Sequence, residues 1–251
     1  MLEQTFPTPL PVTLEVTIPS GDIDVESVDG SETSLAVSGD ERLLEHLEVR
    51  HDGDRVVVEM RKKGGFSFSL GSLFGVDGLR VQARVPHGAG VKVKTASADT
   101  ELAGRFGKLE MNTVSGDVRL RGEVAEYAAV KAVSGDVDLE RVDGDISVQT
   151  VSGDLRARSI TGSADAKSVS GDIRLDSLAA GEVRFNSVSG DIEIGIAAGS
   201  TLDVDAGSTS GDLSSEVPLA SEPPSGEGAA APTVIVRGRT VSGDVRVFRA
   251  G

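Results

Sequence analysis

The tripeptide Ser-Gly-Asp recurs nine times in this chain, and its central copies follow one another at nearly constant spacing. The six copies from Ser115 to Ser210 begin 19, 18, 18, 19 and 21 residues apart. A short fixed period is typical of a solenoid, in which each repeat buries its apolar face only against its neighbours. The spacing therefore predicts one elongated repeat domain. The nine copies begin at Ser20, Ser38, Ser115, Ser134, Ser152, Ser170, Ser189, Ser210 and Ser242.

Apolar and polar residues alternate on both sides of each Ser-Gly-Asp, as half-buried strands require. Each repeat is too short for a strand-helix-strand crossover, and the whole chain has only 3% aromatic residues. The pattern therefore predicts an all-β, single-stranded β-helix (a solenoid) with about 18–19 residues per coil and strands about 4.8 Å apart. The inward columns after the motif are Val118, Val137, Leu155, Ile173, Ile192, Leu213 and Leu120, Leu139, Ala157, Leu175, Ile194. Those before it are Leu109, Ala128, Ile146, Ala164, Val183, Val204 and Met111, Val130, Val148, Ala166, Phe185, Ala206.

Two outward columns carry charges whose sign changes along the array, which favours in-register stacking. A further column two residues before each Ser, including Thr113 and Ser187, carries hydroxyl groups that we expect to share hydrogen bonds up the stack. The charged columns are Arg119, Asp138, Arg156, Arg174, Glu193 and Arg121, Glu140, Arg158, Asp176.

The regular period divides the chain into four parts within one domain. Residues 1–90 read as irregular N-terminal strands and a cap, and Asp40 is expected to N-cap one helical turn that reaches Leu47. Residues 91–214 form the regular coils. Residues 215–232 are rich in Pro, Gly and Ala and are expected to form a mobile loop. Residues 233–251 then return as the final strand and coil that complete the array.

The charge and the cysteine content exclude several classes of function. The formal net charge is −15, which opposes binding to nucleic acid or to an anionic bilayer. There is no cysteine, so disulfides and thiol chemistry are excluded. The chain shows no run of eighteen apolar residues and no basic segment followed by an apolar one at its start. We therefore expect a cytoplasmic protein without an integral membrane segment.

The aspartates of the motif are predicted to stack into a column at the turns. Such a column could bind Ca²⁺ through carboxylate oxygens, or each Asp could cap its own turn by accepting backbone N–H groups while Gly supplies the backbone freedom. The structural alternative is preferred, because only one Gly flanks each Asp. The column consists of Asp117, Asp136, Asp154, Asp172 and Asp191.

No residue pattern predicts catalysis or a cofactor. The three histidines, His46, His51 and His87, lie in the irregular N-terminal part, and neither a Gly-x-Ser-x-Gly nor a His-Glu-x-x-His motif occurs. We expect each His to be a surface residue and the protein not to be an enzyme. Catalytic, cofactor-binding and metal-binding residues are therefore not assigned.

An apolar insertion between Gly64 and Gly78 is the predicted interaction site. Exposed apolar groups on an acidic protein usually mark a partner surface, but the alternative of a hairpin that folds back to cover the first coil is preferred, and one surface could serve both roles. Its apolar residues are Phe66, Phe68, Leu70, Leu73 and Phe74.

Three sequence features together resemble a known bacterial family. They are the Val-Ser-Gly-Asp-Val/Ile-x-Leu repeat, the early Pro-Ser-Gly-Asp-Ile segment and the segment Leu79-Arg-Val-Gln-Ala-Arg-Val-Pro86. Over essentially its whole length the chain resembles the putative-adhesin family of β-strand-repeat domains of unknown function, also called toastrack domains. The resemblance implies a right-handed β-helix, a bacterial origin and, for some relatives, an association with cell-envelope stress systems. It implies no catalytic residues.

The sequence thus predicts a non-enzymatic scaffold or protein-interaction module with an unknown protein partner. Two alternatives remain. One is a structural protein that self-assembles by continuing its coils from one molecule to the next, and the other is an adhesin-like rod that binds carbohydrate or calcium.

Overall fold

The computed structural model describes residues 1–61, 78–217 and 232–250. In this part of the chain, nineteen strands form one mostly parallel sheet, and a single helical turn interrupts them. The predicted all-β class is therefore confirmed.

The strands fall into an N-terminal group and a group that contains the regular repeats. The first group consists of β1 (Leu2–Pro7), β2 (Thr13–Val28), β3 (Glu32–Ser38), α1 (Glu41–Leu44), β4 (Leu47–Asp52), β5 (Arg55–Met60) and β6 (Leu79–Pro86). The second consists of β7 (Gly90–Ser115), β8 (Val118–Ser134), β9 (Val137–Val142), β10 (Asp145–Gln149), β11 (Leu155–Ile160), β12 (Ala164–Lys167), β13 (Ile173–Leu178), β14 (Gly181–Ser189), β15 (Ile192–Ile196), β16 (Thr201–Ser210), β17 (Leu213–Ser215), β18 (Thr233–Ser242) and β19 (Val245–Arg249).

Neighbouring repeats pair in parallel, and like positions face each other. Ile146 of β10 lies opposite Ala164 of β12, which lies opposite Val183 of β14. Antiparallel pairs in the described part occur only near the N-terminus, between β1 and β3, β3 and β6, and β4 and β5. Strand β2 pairs in parallel with β7, with Ser20 opposite Ser97. The first Ser-Gly-Asp therefore extends the parallel stack beyond Val91.

The last strands of the sequence are not the last strands of the stack. Strand β18 lies between β14 and β16, and β19 lies between β15 and β17. We expected the segment from Thr233 onward to complete the array, but it occupies the second position from the end, and β16 and β17 form the outermost layer. The physical reason is that every repeat presents the same inward columns, so the returning segment fits between two earlier ones.

The predicted inward columns form much of the core of the regular repeats. All of the columns up to Ile194 are buried, together with Val236 and Val247 of the inserted layer. The exceptions belong to the outermost layer, where Leu213 is 47% exposed and Val204 and Ala206 are only partly buried. These residues have a neighbouring layer on one side only among the described residues.

The second Ser-Gly-Asp copy, Ser38 to Asp40, begins a helix instead of a corner of the stack. Asp40 is the N-cap of α1, and its carboxylate accepts a hydrogen bond from the Arg42 N–H at 2.8 Å. The predicted helical turn is present with its N-cap, but it ends at Leu44 instead of reaching Leu47, which begins β4. In the described ranges no helix is long and apolar enough to span a membrane.

Candidate functional site

Each Ser-Gly-Asp corner in the stack needs glycine for two reasons. Gly153 has φ +132°, a conformation that residues with a Cβ rarely adopt. In addition, a Cβ on Gly153 would lie 2.2 Å from the carbonyl oxygen of Gly135 in the neighbouring repeat. The corner backbones of successive repeats therefore touch directly.

The aspartate column links successive repeats. The Asp136 N–H donates to Asp117 Oδ1 at 3.0 Å, and the Asp154 N–H donates to Asp136 Oδ1 at 2.9 Å. The same bond continues through Asp172, Asp191, Asp244 and Asp212 at 2.8–2.9 Å. We expected each carboxylate to cap its own turn, and this was wrong. The parallel stack brings the next repeat's N–H within reach of Oδ1, so the carboxylate caps its neighbour.

The hydroxyl column behaves in the opposite way. Thr113 Oγ1 donates to the carbonyl oxygen of Ser115 at 2.9 Å, and Ser187 Oγ donates to that of Ser189 at 3.2 Å. These hydroxyl groups stabilise their own corner and not the stack, contrary to expectation. Ser208 is an exception, because its Oγ donates to the carbonyl oxygen of Gly243 in the neighbouring layer at 2.9 Å.

The charged face after the corners forms diagonal ion pairs. Arg158 contacts Asp138 at 2.9 Å, and Asp176 accepts from both Arg156, at 2.8 Å, and Arg174, at 2.6 Å. Arg156 and Arg174 lie directly opposite each other in register, so Asp176 separates two like charges. Partial burial acts to raise the pKa of Asp176, but the hydrogen bonds and positive charge of the two guanidinium groups outweigh it and hold that pKa below its ordinary value.

The structure brings one histidine into a group of residue types known from nucleophilic catalysis. His87 Nδ1 lies 2.8 Å from Ser27 Oγ, and its Nε2 lies 3.5 Å from Asp29 Oδ1. Ser27 is only 6% exposed, and its Oγ accepts from the Arg105 N–H at 2.6 Å. A Cβ on Gly104 would lie 2.3 Å from that oxygen, so the hydroxyl is enclosed by backbone.

The other two histidines lie on the surface of the N-terminal part. His46 Nδ1 lies 2.8 Å from the carbonyl oxygen of Arg42, and the His51 ring lies 5.6 Å from that of Phe6. In the ranges that the structure describes, no three His, Asp or Glu side chains are grouped to hold a metal ion.

A groove with a volume of about 600 Å³ is lined by residues of β1, β2, β3, β6 and β7. Its charged lining includes Glu3, Asp24 and Glu101, together with an Arg84–Glu26 ion pair of 3.2 Å. It is an open and mainly acidic surface. The predicted interaction residues Phe66, Phe68, Leu70, Leu73 and Phe74 lie outside the described residues, as does most of the predicted loop at 215–232.

An exposed row of valines is the most unusual surface of the described chain. The residue immediately before each regular Ser-Gly-Asp points outward, and in six successive layers it is Val, 46–53% exposed. Because the adjacent serines lie opposite one another in register, the six side chains form one line along the stack. We call this line the valine ridge. It comprises Val114, Val133, Val151, Val169, Val188 and Val241.

The valine ridge was not predicted from the sequence, although a Val precedes the Ser-Gly-Asp in six successive layers. The signal in the sequence is an apolar residue at a position that the alternation predicts to face solvent, and it is repeated in six layers. At either end of the ridge the same position is occupied by smaller or polar exposed residues, Ala96 and Thr209. The valines therefore form a bounded patch, on the order of 400 Å², a size that is often functional on a monomer.

The two sides of the ridge differ in charge. On one side, two residues before each Val, cations and amides alternate from layer to layer. On the other side lie the serines and the aspartate column, whose Asp136, Asp154, Asp172 and Asp191 are exposed. The cation and amide column reads Lys94, Asn112, Lys131, Gln149, Lys167, Asn186 and Arg239 in stack order.

Comparison with known proteins identifies the fold family. The structure is similar to one from Bacteroides fragilis described as a "putative adhesin", with 12% identity, a TM-score of 0.53 and coverage of 98% of this chain and 96% of that one. It is also similar to one from Parabacteroides distasonis described as a "putative lipid binding protein", with 15% identity, a TM-score of 0.54 and the same coverage. No curated protein matches the chain. The model of the family named Toastrack DUF4097 matches residues 12–248, and the chain therefore belongs to this family.

Proposed function

We propose that this protein is a non-enzymatic scaffold that presents the valine ridge to a protein partner. The observation that carries the proposal is the repetition of a half-exposed valine at one outward position in six layers. An apolar side chain that stays half exposed removes only part of its surface from water in the isolated protein, whereas a partner that covers it removes the rest.

We also propose that the parallel stack is a right-handed single-stranded β-helix with about 18–19 residues per coil. The in-register pairs support this coil length, since the hydrogen-bonded aspartates from Asp99 to Asp191 are 18 or 19 residues apart. Such a helix holds the ridge rigid, because each layer is bonded to the next by strand pairing and by the aspartate column.

The geometry of Ser27 supports the non-enzymatic part of the proposal. A nucleophile must approach a substrate atom closely, but Ser27 Oγ is buried beside Gly104 and already accepts from a backbone N–H. We interpret Ser27, His87 and Asp29 as a structural contact between β2 and the turn that follows β6.

End-to-end self-assembly is less favoured than a side-on partner. The N-terminal edge strands β1 and β4 are antiparallel to their neighbours, and β4 carries Glu48, Arg50 and Asp52. Charged edges oppose pairing with another strand. The outermost strands at the other end, β16 and β17, are parallel, so the two ends do not match.

Site-specific photo-crosslinking in the producing cell tests the proposed function. A benzophenone amino acid at Val151 should give protein adducts, whereas the same group at Glu140, which is exposed on the charged face, should give none or different ones. The proposal is wrong if Val151 and Glu140 give the same adducts, or if neither gives any while the protein is folded.

A further inference from the structure

From the charges beside the valine ridge we infer that the partner is a second copy of this chain, aligned in parallel and side by side along the ridge. The inference rests on the proposed function and names its partner. The charged columns that face each other when two ridges meet determine how two copies can pair.

The columns beside the ridge are of opposite charge and lie on opposite sides of it. The column that precedes the ridge carries Lys94, Lys131, Lys167 and Arg239 in alternate layers and has no carboxylate. The column that follows it carries an aspartate in every layer, from Asp117 to Asp212. A ridge with this lateral asymmetry is complementary to itself in one relative orientation only.

A two-fold axis parallel to the stacking direction brings the cation column of each copy over the aspartate column of the other. A two-fold axis across the stack would place cations against cations and aspartates against aspartates, and like charges that face each other oppose association. Charge therefore selects the parallel pair, in which each valine faces the same valine of the other copy.

The charged groups have atoms available for these contacts. Each aspartate of the column uses Oδ1 for the N–H of the next layer, so Oδ2 of the exposed Asp154 and Asp172 can accept from an ammonium group. Lys167 and Arg239 have ion partners of their own in the described chain, Asp165 at 3.5 Å and Asp205 at 3.3 Å. For Lys94 and Lys131 the described residues include no carboxylate within ion-pair distance, so these two cations contribute most.

The area of the surface predicts a weak dimer. Six layers about 4.8 Å apart and five residues of width give roughly 500 Å² per copy, or about 1,000 Å² in total. That total lies at the low end of specific interfaces, and we expect a dissociation constant in the micromolar range. Because charge pairs at a solvent-accessible rim are screened by salt, the dimer should weaken as ionic strength rises.

Cysteine crosslinking tests both the pair and its direction, since the wild-type chain contains no cysteine. In the full-length protein, Val114→Cys and Val241→Cys lie at opposite ends of the ridge. In a parallel pair each variant alone forms a disulfide-linked dimer under mild oxidation. In an antiparallel pair only a mixture of the two variants does so. Glu140→Cys, on the charged face, is the control and should remain monomeric.

Sedimentation over a concentration series measures the affinity. Val151→Thr with Val169→Thr keeps β-branching, repeats the natural Thr209 of the same column, and should weaken the dimer at least about tenfold. Lys94→Glu with Lys131→Glu should weaken it by a similar factor. Circular dichroism and thermal melts establish that each variant is folded.

The possible outcomes separate this inference from the proposed function. Crosslinking of each end variant with itself, together with a salt-sensitive monomer–dimer equilibrium, supports the parallel dimer. A strictly monomeric wild type, or crosslinking only in the mixture of variants, overturns it. If the wild type is monomeric but Val151 still gives adducts with a different protein in the cell, the inference fails and the proposed function stands. If Val151 gives no specific adduct at all, both fail.

Discussion

At the scale of single residues, the Ser-Gly-Asp corner divides its work among three side chains. Gly153 permits both a positive φ and direct contact with Gly135, Asp154 accepts the next layer's N–H, and in several repeats the hydroxyl group two residues before the Ser closes the bend. The Val before the Ser takes no part in the corner, which leaves it available for a partner.

Substituting alanine for a corner glycine separates the two roles of glycine. Gly153→Ala and Gly30→Ala impose Ala on nearly the same backbone, with φ +132° and +136°, but a Cβ on Gly30 has nothing within 4 Å. We expect Gly30→Ala to lower the free energy of unfolding by about 1–3 kcal/mol. Gly153→Ala should lower it more, because two layers would have to separate. Urea unfolding measures both, and equal losses would show that the inter-layer contact is unimportant.

At the scale of the elements, the position of β18 and β19 is the main departure from the order of the sequence. Inserting them between earlier strands buries Val236 and Val247 completely and leaves β16 and β17 as the outer layer. Stability should therefore depend more on the last strands of the sequence than on the strands that precede them.

Two matched valines test this order. Val204 and Val236 lie directly opposite each other, and Val236 also lies opposite Val183 on its other side. Val236→Ala should lower the free energy of unfolding by about 2 kcal/mol, because it leaves a cavity between two layers. Val204→Ala should lower it by under about 1 kcal/mol, because Val204 is only partly buried. Chemical denaturation measures both losses, and a larger loss for Val204 would place β16 inside the stack.

At the scale of the whole molecule, charge contributes to stability along the entire stack. The net charge of −15 favours expansion of the chain, and the diagonal ion pairs of the face after the corners oppose it. Asp176 is the best-connected carboxylate of that face, since it accepts from two guanidinium groups.

The depressed pKa of Asp176 predicts how acid acts on the protein. A carboxylate whose pKa is lower in the folded than in the unfolded state stabilises the fold at pH values above the unfolded value of about 3.9, and this contribution is lost as pH falls through the folded value. Asp176→Asn should therefore be less stable than wild type at neutral pH, and the difference should shrink below about pH 4. Glu140→Gln, on the same face, is the control. A difference independent of pH would show that packing, and not charge, is responsible.

The sequence determined the repeat, the strands and the side of each strand that faces the core, because these depend on local spacing and on alternation with a period of two. The inward columns from Leu109 to Ile194 are buried as predicted, and the resemblance to toastrack domains agrees with the matching family. The alternation also places the valines of the ridge on the outward side of their strands. Whether they form one exposed surface depends on the order of the neighbouring layers, which only the structure shows.

The tertiary structure alone decided which layers are neighbours. Repeats with equivalent apolar columns and equivalent corners can stack in more than one order at similar local energy, so the sequence does not show that β18 lies between β14 and β16. For the same reason, it does not show that each aspartate caps the following layer and not its own turn. Contacts between layers depend on which layers are neighbours in space. The period of the sequence does not determine those neighbours where the chain returns after an insertion.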